Sequence, residues 1–274
     1  MNLLTRSNPA GRDIVASQHD LLSYVGFAAY RLEAGERLSL NADDKELCVV
    51  LLAGHTTIVG EALGQGAFRW ENVGERRSVF EDVSPFAVYL PPQSQATFTA
   101  LGPAHLAVCS APGDTGGRVP ARLITPDSMK RSARGRGANL RYVCDILPDT
   151  EPAHSLLVVE VRTPSGHCSS YPPHKHDLEE FPDDSVLDDA CLEQTCYHMV
   201  NPPQGFVFQR VYTDDRRIDQ AMAVENHDLV TVPGGYHPVC VPYGYESWYL
   251  NVMAGPVRAR QFKNDPQHSW LLEL

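Results

Sequence analysis

None of the seven cysteines pairs with another as C-x-x-C. Cys48, Cys109, Cys144, Cys168, Cys191, Cys196 and Cys240 are scattered and odd in number. This argues against a disulfide framework and for reduced thiols in a cytosol. No run is long and apolar enough to span a bilayer. The opening MNLLTRSNPAGRDIVASQHD lacks the sustained apolar core of a signal peptide. A soluble cytoplasmic protein is the expectation. Positive charge is also scarce: 23 Lys and Arg against 34 Asp and Glu leave a formal net charge of -11. A duplex or an anionic membrane would be repelled, so neither nucleic acid nor membrane is an expected partner. A metal cation would not be repelled, and a small anionic substrate would need a local basic group. Helical periodicity is weak nearly everywhere. DDRRIDQAMAV has room for a turn or two of helix but is read as an exposed loop.

What the chain does have is many short apolar runs. Its 274 residues are 43% hydrophobic and 21% charged, a globular composition able to bury a core. Pro (21) and Gly (20) punctuate the whole length. Between them lie YVGFAAYRL, LCVVLLAG, PFAVYLP, HLAVCSA, SLLVVEVR, GFVFQRVY, DLVTVPGG and WYLNVMAGP. Each is of strand length and rich in β-formers, which predicts an all-β sandwich or barrel. The set occurs twice, over residues 25–110 and 140–262. The division expected is an N-terminal barrel over 1–120, a linker or arm over 121–139, and a C-terminal barrel over 140–274. The linker carries Arg131, Arg134 and Arg136, and Arg141 follows; together they are the one concentrated basic patch in an acidic chain. They read as a solvated loop or as a subunit contact.

Chemistry concentrates in YPPHKHD. In extended chain His174 and His176 face the same side, which suits adjacent positions on one metal ion. Pro172 and Pro173 stiffen the approach. Downstream, in LVTVPGGYHPV, a β-branched strand enters a Pro-Gly-Gly turn and the chain emerges at His237. An antiparallel barrel would bring this third imidazole beside the first two. Between them, ACLEQTCYHM carries Glu193 on a strand-like segment. Three imidazoles and a carboxylate suit a divalent first-row ion with positions left open.

H-x-H, a later Glu, then P-G-x-x-H resembles the two cupin motifs. The runs SSYPPHKHD, LEQTCYH, QGFVFQRVYTDD, VPGGYHPV and YLNVMAGP resemble the 5-deoxyglucuronate isomerase family of myo-inositol catabolism, itself related to the 4-deoxyuronate isomerases. The resemblance is dense from Ser169 to Trp270. It implies two tandem cupin (jelly-roll) barrels with the metal site in the C-terminal one, and ligands at His174, His176, Glu193 and His237. The family carries Leu-Glu-Glu where this chain has Leu192-Glu193-Gln194, so the ligand expected from that strand is Glu193. Glu179 and Glu180 fall in an acidic, Pro-containing stretch read as a loop. Gln194, Cys196 and His198 would face away from Glu193, Thr195 and Tyr197. The N-terminal half has only the isolated His55 and His105, so its barrel is expected to lack metal.

The implied reaction is an aldose–ketose isomerisation of a small anionic sugar acid, 5-deoxy-D-glucuronate. The implied cofactor is one divalent ion, with Zn, Mn, Fe, Co and Ni all compatible. Candidates for proton transfer are His198, Tyr249 and Tyr212, with Glu179 and Lys175 also in reach of the motifs. Arg210 on its strand is the expected partner of the substrate carboxylate, with Lys175 beside it. A cupin dioxygenase, a 4-deoxy-5-ketouronate isomerase and a non-catalytic sugar-acid-binding cupin stay open as alternatives. Duplicated barrels commonly assemble, and a homo-oligomer is compatible with this sequence.

Overall fold

The computed structural model describes residues 1–273 except 18–19, 115–118 and 177–191. Nearly all of its regular structure is antiparallel strand. Five sheets form two barrels. In the N-terminal barrel, a six-stranded sheet runs in the order Arg122–Ile124, Phe86–Leu90, Lys45–Ala53, Ala104–Pro112, Gly26–Leu32, Asp13–Ala16. It faces a four-stranded sheet of Arg37–Asn41, Ser94–Ala100, Thr56–Ala62 and Gly66–Val73.

The C-terminal barrel repeats the plan. A seven-stranded sheet runs Leu4–Thr5, Leu229–Val232, Glu193–Asn201, Glu246–Ala254, Leu157–Thr163, Arg141–Leu147, Lys130–Arg134. Its smaller sheet is Cys168–Ser169, Val239–Cys240, Phe206–Tyr212 and Asp219–Glu225. A short ribbon pairs His174–Lys175 with Lys263–Asn264. The stretch read as a loop around Asp219 is a strand, paired along its length with Phe206–Tyr212.

Three apolar clusters explain the unbroken apolar runs. Strand Lys45–Ala53 sends Leu47, Val49 and Leu51 into its own barrel. It sends Cys48, Val50 and Leu52 outward against the other barrel. Glu246–Ala254 does the same, with Tyr249 and Met253 inside and Trp248, Leu250 and Val252 at the interface. The two large sheets pack back to back, so their central strands are buried on both faces and lose the usual polar alternation. Across this interface Arg76 forks onto Glu160 at 3.1 and 2.9 Å, and Trp248 Nε1 donates to the same carboxylate at 3.1 Å.

The segment expected to be a linker, 121–139, contributes a strand to each large sheet instead. Arg122–Ile124 extends the first and Lys130–Arg134 the second. Two of its arginines have carboxylate partners within the chain: Arg131 on Asp82, Arg134 on Asp145. The N-terminus also departs from the expected division, since Leu4–Thr5 pairs with Leu229–Val232 of the C-terminal barrel.

Candidate active site

His174 and His176 leave the short ribbon on one side, as i and i+2 residues of extended chain do. His237 follows the turn that ends Leu229–Val232. The three rings stand at the corners of a near-equilateral triangle, with centroids 5.4, 5.2 and 5.5 Å apart. One nitrogen from each lies within 4.8 Å of the others. Among the described residues these three form the only group of His, Cys, Asp or Glu so arranged.

Backbone carbonyls orient the rings. His176 Nδ1 donates to Gln261 O at 2.7 Å and His237 Nδ1 to Gly235 O at 3.0 Å. His174 is hydrogen-bonded to the backbone of Pro172. Such bonds select the tautomer that presents Nε2 for ligation. Burial, then the neighbouring imidazoles, push His174 well below the usual histidine range. Burial and His237 hold His176 at about 3. Both rings are therefore neutral at pH 7, the protonation state a metal requires.

Glu193 is not part of this group. It lies on the interface face of its strand, with Thr195 and Tyr197. Its carboxylate accepts the backbone N–H groups of Ser23 at 2.8 Å, Tyr24 at 2.7 Å and Val25 at 3.2 Å. The inward position is Gln194, 1% exposed. Gln194 Nε2 donates to Cys196 Sγ at 3.0 Å and Asn251 Oδ1 at 3.4 Å. Its Oε1 is buried with no hydrogen-bond partner among the described residues. Three oriented imidazoles and one uncommitted buried carbonyl oxygen in the same barrel fit a divalent ion. Glu179 and Glu180 lie outside the described residues.

His174 and His176 open onto a cavity of about 380 Å³ whose wall includes Tyr249, Asn251, Ser170 and Phe262. Three arginines, Arg134, Arg141 and Arg260, line it as well. Tyr249 OH donates to Ser169 Oγ at 3.0 Å and lies 3.4 Å from Ser170 Oγ. Burial raises its pKa, so it is a phenol at pH 7. The His198 ring lies tilted with its centroid 5.2 Å from that of Tyr249, and its Nε2 is 2.8 Å from Gln209 Oε1. Burial lowers it to about 4.

The other expected residues stand apart from the cavity. Tyr212 OH donates to Asp265 Oδ2 at 2.7 Å, and Asp265 N–H donates to Pro173 O at 2.8 Å. Tyr212 thus braces the ribbon that carries His174. Arg210 takes the outward parity of its strand, 45% exposed, and forks onto Asp219 at 2.8 and 2.8 Å. Lys175 alternates away from the two histidines and places Nζ 2.7 Å from Asp214. Sequence reasoning missed Arg141, Arg260, Gln194 and the C-terminal tail. The basic patch around Arg141 is the one available signal, and by sequence it reads as a solvated loop or as a subunit contact.

The KduI/IolB family profile matches residues 3–271. A 5-deoxy-glucuronate isomerase of Geobacillus thermodenitrificans (strain NG80-2) is 51% identical over 250 residues, covering 91% of this chain and 87% of that protein. The crystal structure of an IolB-like protein from Salmonella typhimurium LT2 superposes with a TM-score of 0.91 at 44% identity, covering 99% of this chain and 100% of that one. An oxalate decarboxylase from Lactobacillus farciminis shares the fold at 11% identity, with a TM-score of 0.67 and coverage of 100% and 91%. The chain belongs to the KduI/IolB family.

Proposed function

We propose that this protein is a metal-dependent aldose–ketose isomerase converting 5-deoxy-D-glucuronate to 5-dehydro-2-deoxy-D-gluconate. The observation that carries the reading is the histidine triangle, two of whose rings open onto an arginine-lined cavity, in a chain 51% identical to a protein named 5-deoxy-glucuronate isomerase. His174, His176 and His237 would hold the ion, and Gln194 Oε1, buried in the same barrel without a partner among the described residues, would be available to it as a neutral donor. When bound, the ion supplies Lewis-acid polarisation of the substrate's carbonyl and hydroxyl oxygens.

The protein's own groups do the rest. The carbonyls of Gln261 and Gly235 fix ring orientation before substrate arrives, so little reorganisation accompanies the reaction. Tyr249, kept protonated by burial, is the proton donor for a substrate oxygen at the cavity wall. Ser169 and Ser170 hold its hydroxyl in place. His198 backs the Tyr249 ring and is oriented by Gln209. Tyr212 supports the ribbon and takes no part in proton transfer.

The test is NMR of the metal-loaded protein with 5-deoxy-D-glucuronate in heavy water without oxygen. The expected result is the 2-deoxy-5-keto acid, with solvent deuterium entering the carbon that becomes CH₂OH. No conversion under these conditions overturns the proposal.

A further inference from the structure

We infer that Arg141 binds the carboxylate of the substrate, an assignment that rests on the sugar-acid isomerase reading above. The three cavity arginines are not equivalent. Arg260 Nη1 is 2.7 Å from Asp145, and Arg134 is 3.6 Å from the same carboxylate. Arg141 has no carboxylate partner among the described residues. Its Nη1 rests on neutral oxygens, Asn139 O and Tyr171 O at 3.2 Å and Asn139 Oδ1 at 3.4 Å. No protein acceptor among the described residues meets the Nε–Nη2 edge. That edge is the fork that a carboxylate fills with two parallel hydrogen bonds.

Position and charge support the same assignment. Arg141 lines the cavity with His174 and His176. Tyr171, whose carbonyl holds the guanidinium, lies in the segment leading to the H-x-H pair. Burial lowers Arg141 itself, and Arg134 adds repulsion. A bound carboxylate would relieve both costs. Gly135 makes the placement sterically feasible. With φ at +77°, it leaves a gap where a Cβ would lie 2.9 Å from Arg141 Nη1 and 2.2 Å from Asn139 O. The substrate has its aldehyde and its carboxylate at opposite ends of a six-carbon chain. His174, His176 and the forked cation of Arg141, lining one cavity, would grip both.

The test compares 5-deoxy-D-glucuronate with the neutral analogue in which CH₂OH replaces the carboxylate, using metal-loaded wild type, Arg141→Met and Arg141→Lys. Wild type should favour the acid in kcat/KM by about 30-fold or more. Arg141→Met should abolish that preference, mainly through KM, while the neutral analogue reacts as before. Arg141→Lys should restore part of it, because an ammonium keeps the charge but not the fork. An unchanged preference in Arg141→Met, or an equal loss on both substrates, overturns the assignment. Should the Met variant not fold, Arg141→Lys carries the comparison alone, and full wild-type preference there refutes the fork. The two readings fail separately. Wild type that isomerises both compounds equally keeps the isomerase and loses the anchor. Wild type that isomerises neither loses the isomerase, and NMR titration of the two compounds then decides the anchor by whether Arg141→Met erases selective binding of the acid.

Discussion

Glu46 and Glu193 are counterparts across the barrel interface. Each sits near the start of the equivalent central strand of its own large sheet. Each carboxylate reaches across to three consecutive backbone N–H groups just before an equivalent strand of the other barrel. Glu46, fully buried, accepts from His154 at 2.7 Å and from Ser155 and Leu156 at 2.5 Å. Glu193 accepts from Ser23, Tyr24 and Val25. The duplicated barrels therefore grip each other with a duplicated device. Glu193 is half of that device, which is why it is unavailable to the histidines.

Removing one grip should cost stability and spare the metal. Glu193→Ala leaves three backbone donors without their charged acceptor, a loss of about 1–3 kcal/mol. Thermal unfolding should shift down by a few degrees, while elemental analysis shows normal metal content. Metal loss from a folded Glu193→Ala protein would return Glu193 to the ligand set.

The histidines should behave oppositely. His174→Ala, His176→Ala and His237→Ala each remove one imidazole of the proposed metal site from an already formed barrel wall. Circular dichroism should be unchanged and bound metal lost. Full metal content in any one of them would reject the triangle as the site.

Gln194 offers a test of the fourth position. Gln194→Glu replaces a neutral donor with an anionic one in the same place and should tighten metal binding by about tenfold or more. Gln194→Ala should weaken it. Competition with a metal-sensitive dye gives both constants. Equal affinity in all three proteins would mean that this side chain does not reach the ion.

Arg210 should prove dispensable for the reaction. Its fork is filled by Asp219 at the exposed edge of the barrel. Arg210→Met should keep kcat and KM for the sugar acid within about twofold of wild type, since exposed ion pairs contribute little. A loss of tenfold or more in kcat/KM at intact metal content would reinstate it.

Cys240 should be the most reactive of the six described cysteines. It pairs in register with Cys168, with the sulfurs 2.7 Å apart. The hydrogen bond from Cys168 lowers Cys240 to about 7, against the opposing effect of burial. Burial raises Cys48, Cys109, Cys144 and Cys196, and donation to Cys240 raises Cys168. A lowered thiol is thiolate above its pKa, so alkylation by iodoacetamide should be rapid at pH 7.5 and fall steeply below pH 6.5. Peptide mass spectrometry reads this directly. Preferential labelling of any other described cysteine would contradict it.

Much of this was legible from residue order alone. Short β-branched runs between Gly and Pro gave an all-β chain, and their recurrence gave two barrels. His174 and His176 share a face because extended chain alternates, and His237 follows a turn whose Pro-Gly-Gly is explicit. The same alternation correctly grouped Gln194 with Cys196 and His198, and Glu193 with Thr195 and Tyr197. What alternation lacks is a direction. A strand buried on one face reveals its inside through its apolar side. A strand buried on both faces, as in the back-to-back sheets here, has two apolar sides. Only the packing of one barrel on the other decided that Gln194 looks inward and Glu193 outward. The arginines follow the same logic: guanidinium chemistry qualifies Arg210 and Arg141 equally, and what separates them is which one tertiary contacts have already neutralised. Asp219, the register partner of Tyr212 on the neighbouring strand, occupies Arg210. The ribbon and loops that bring Tyr171 and His174 to Arg141 are set by contacts distant in sequence, and these left it without a carboxylate partner among the described residues.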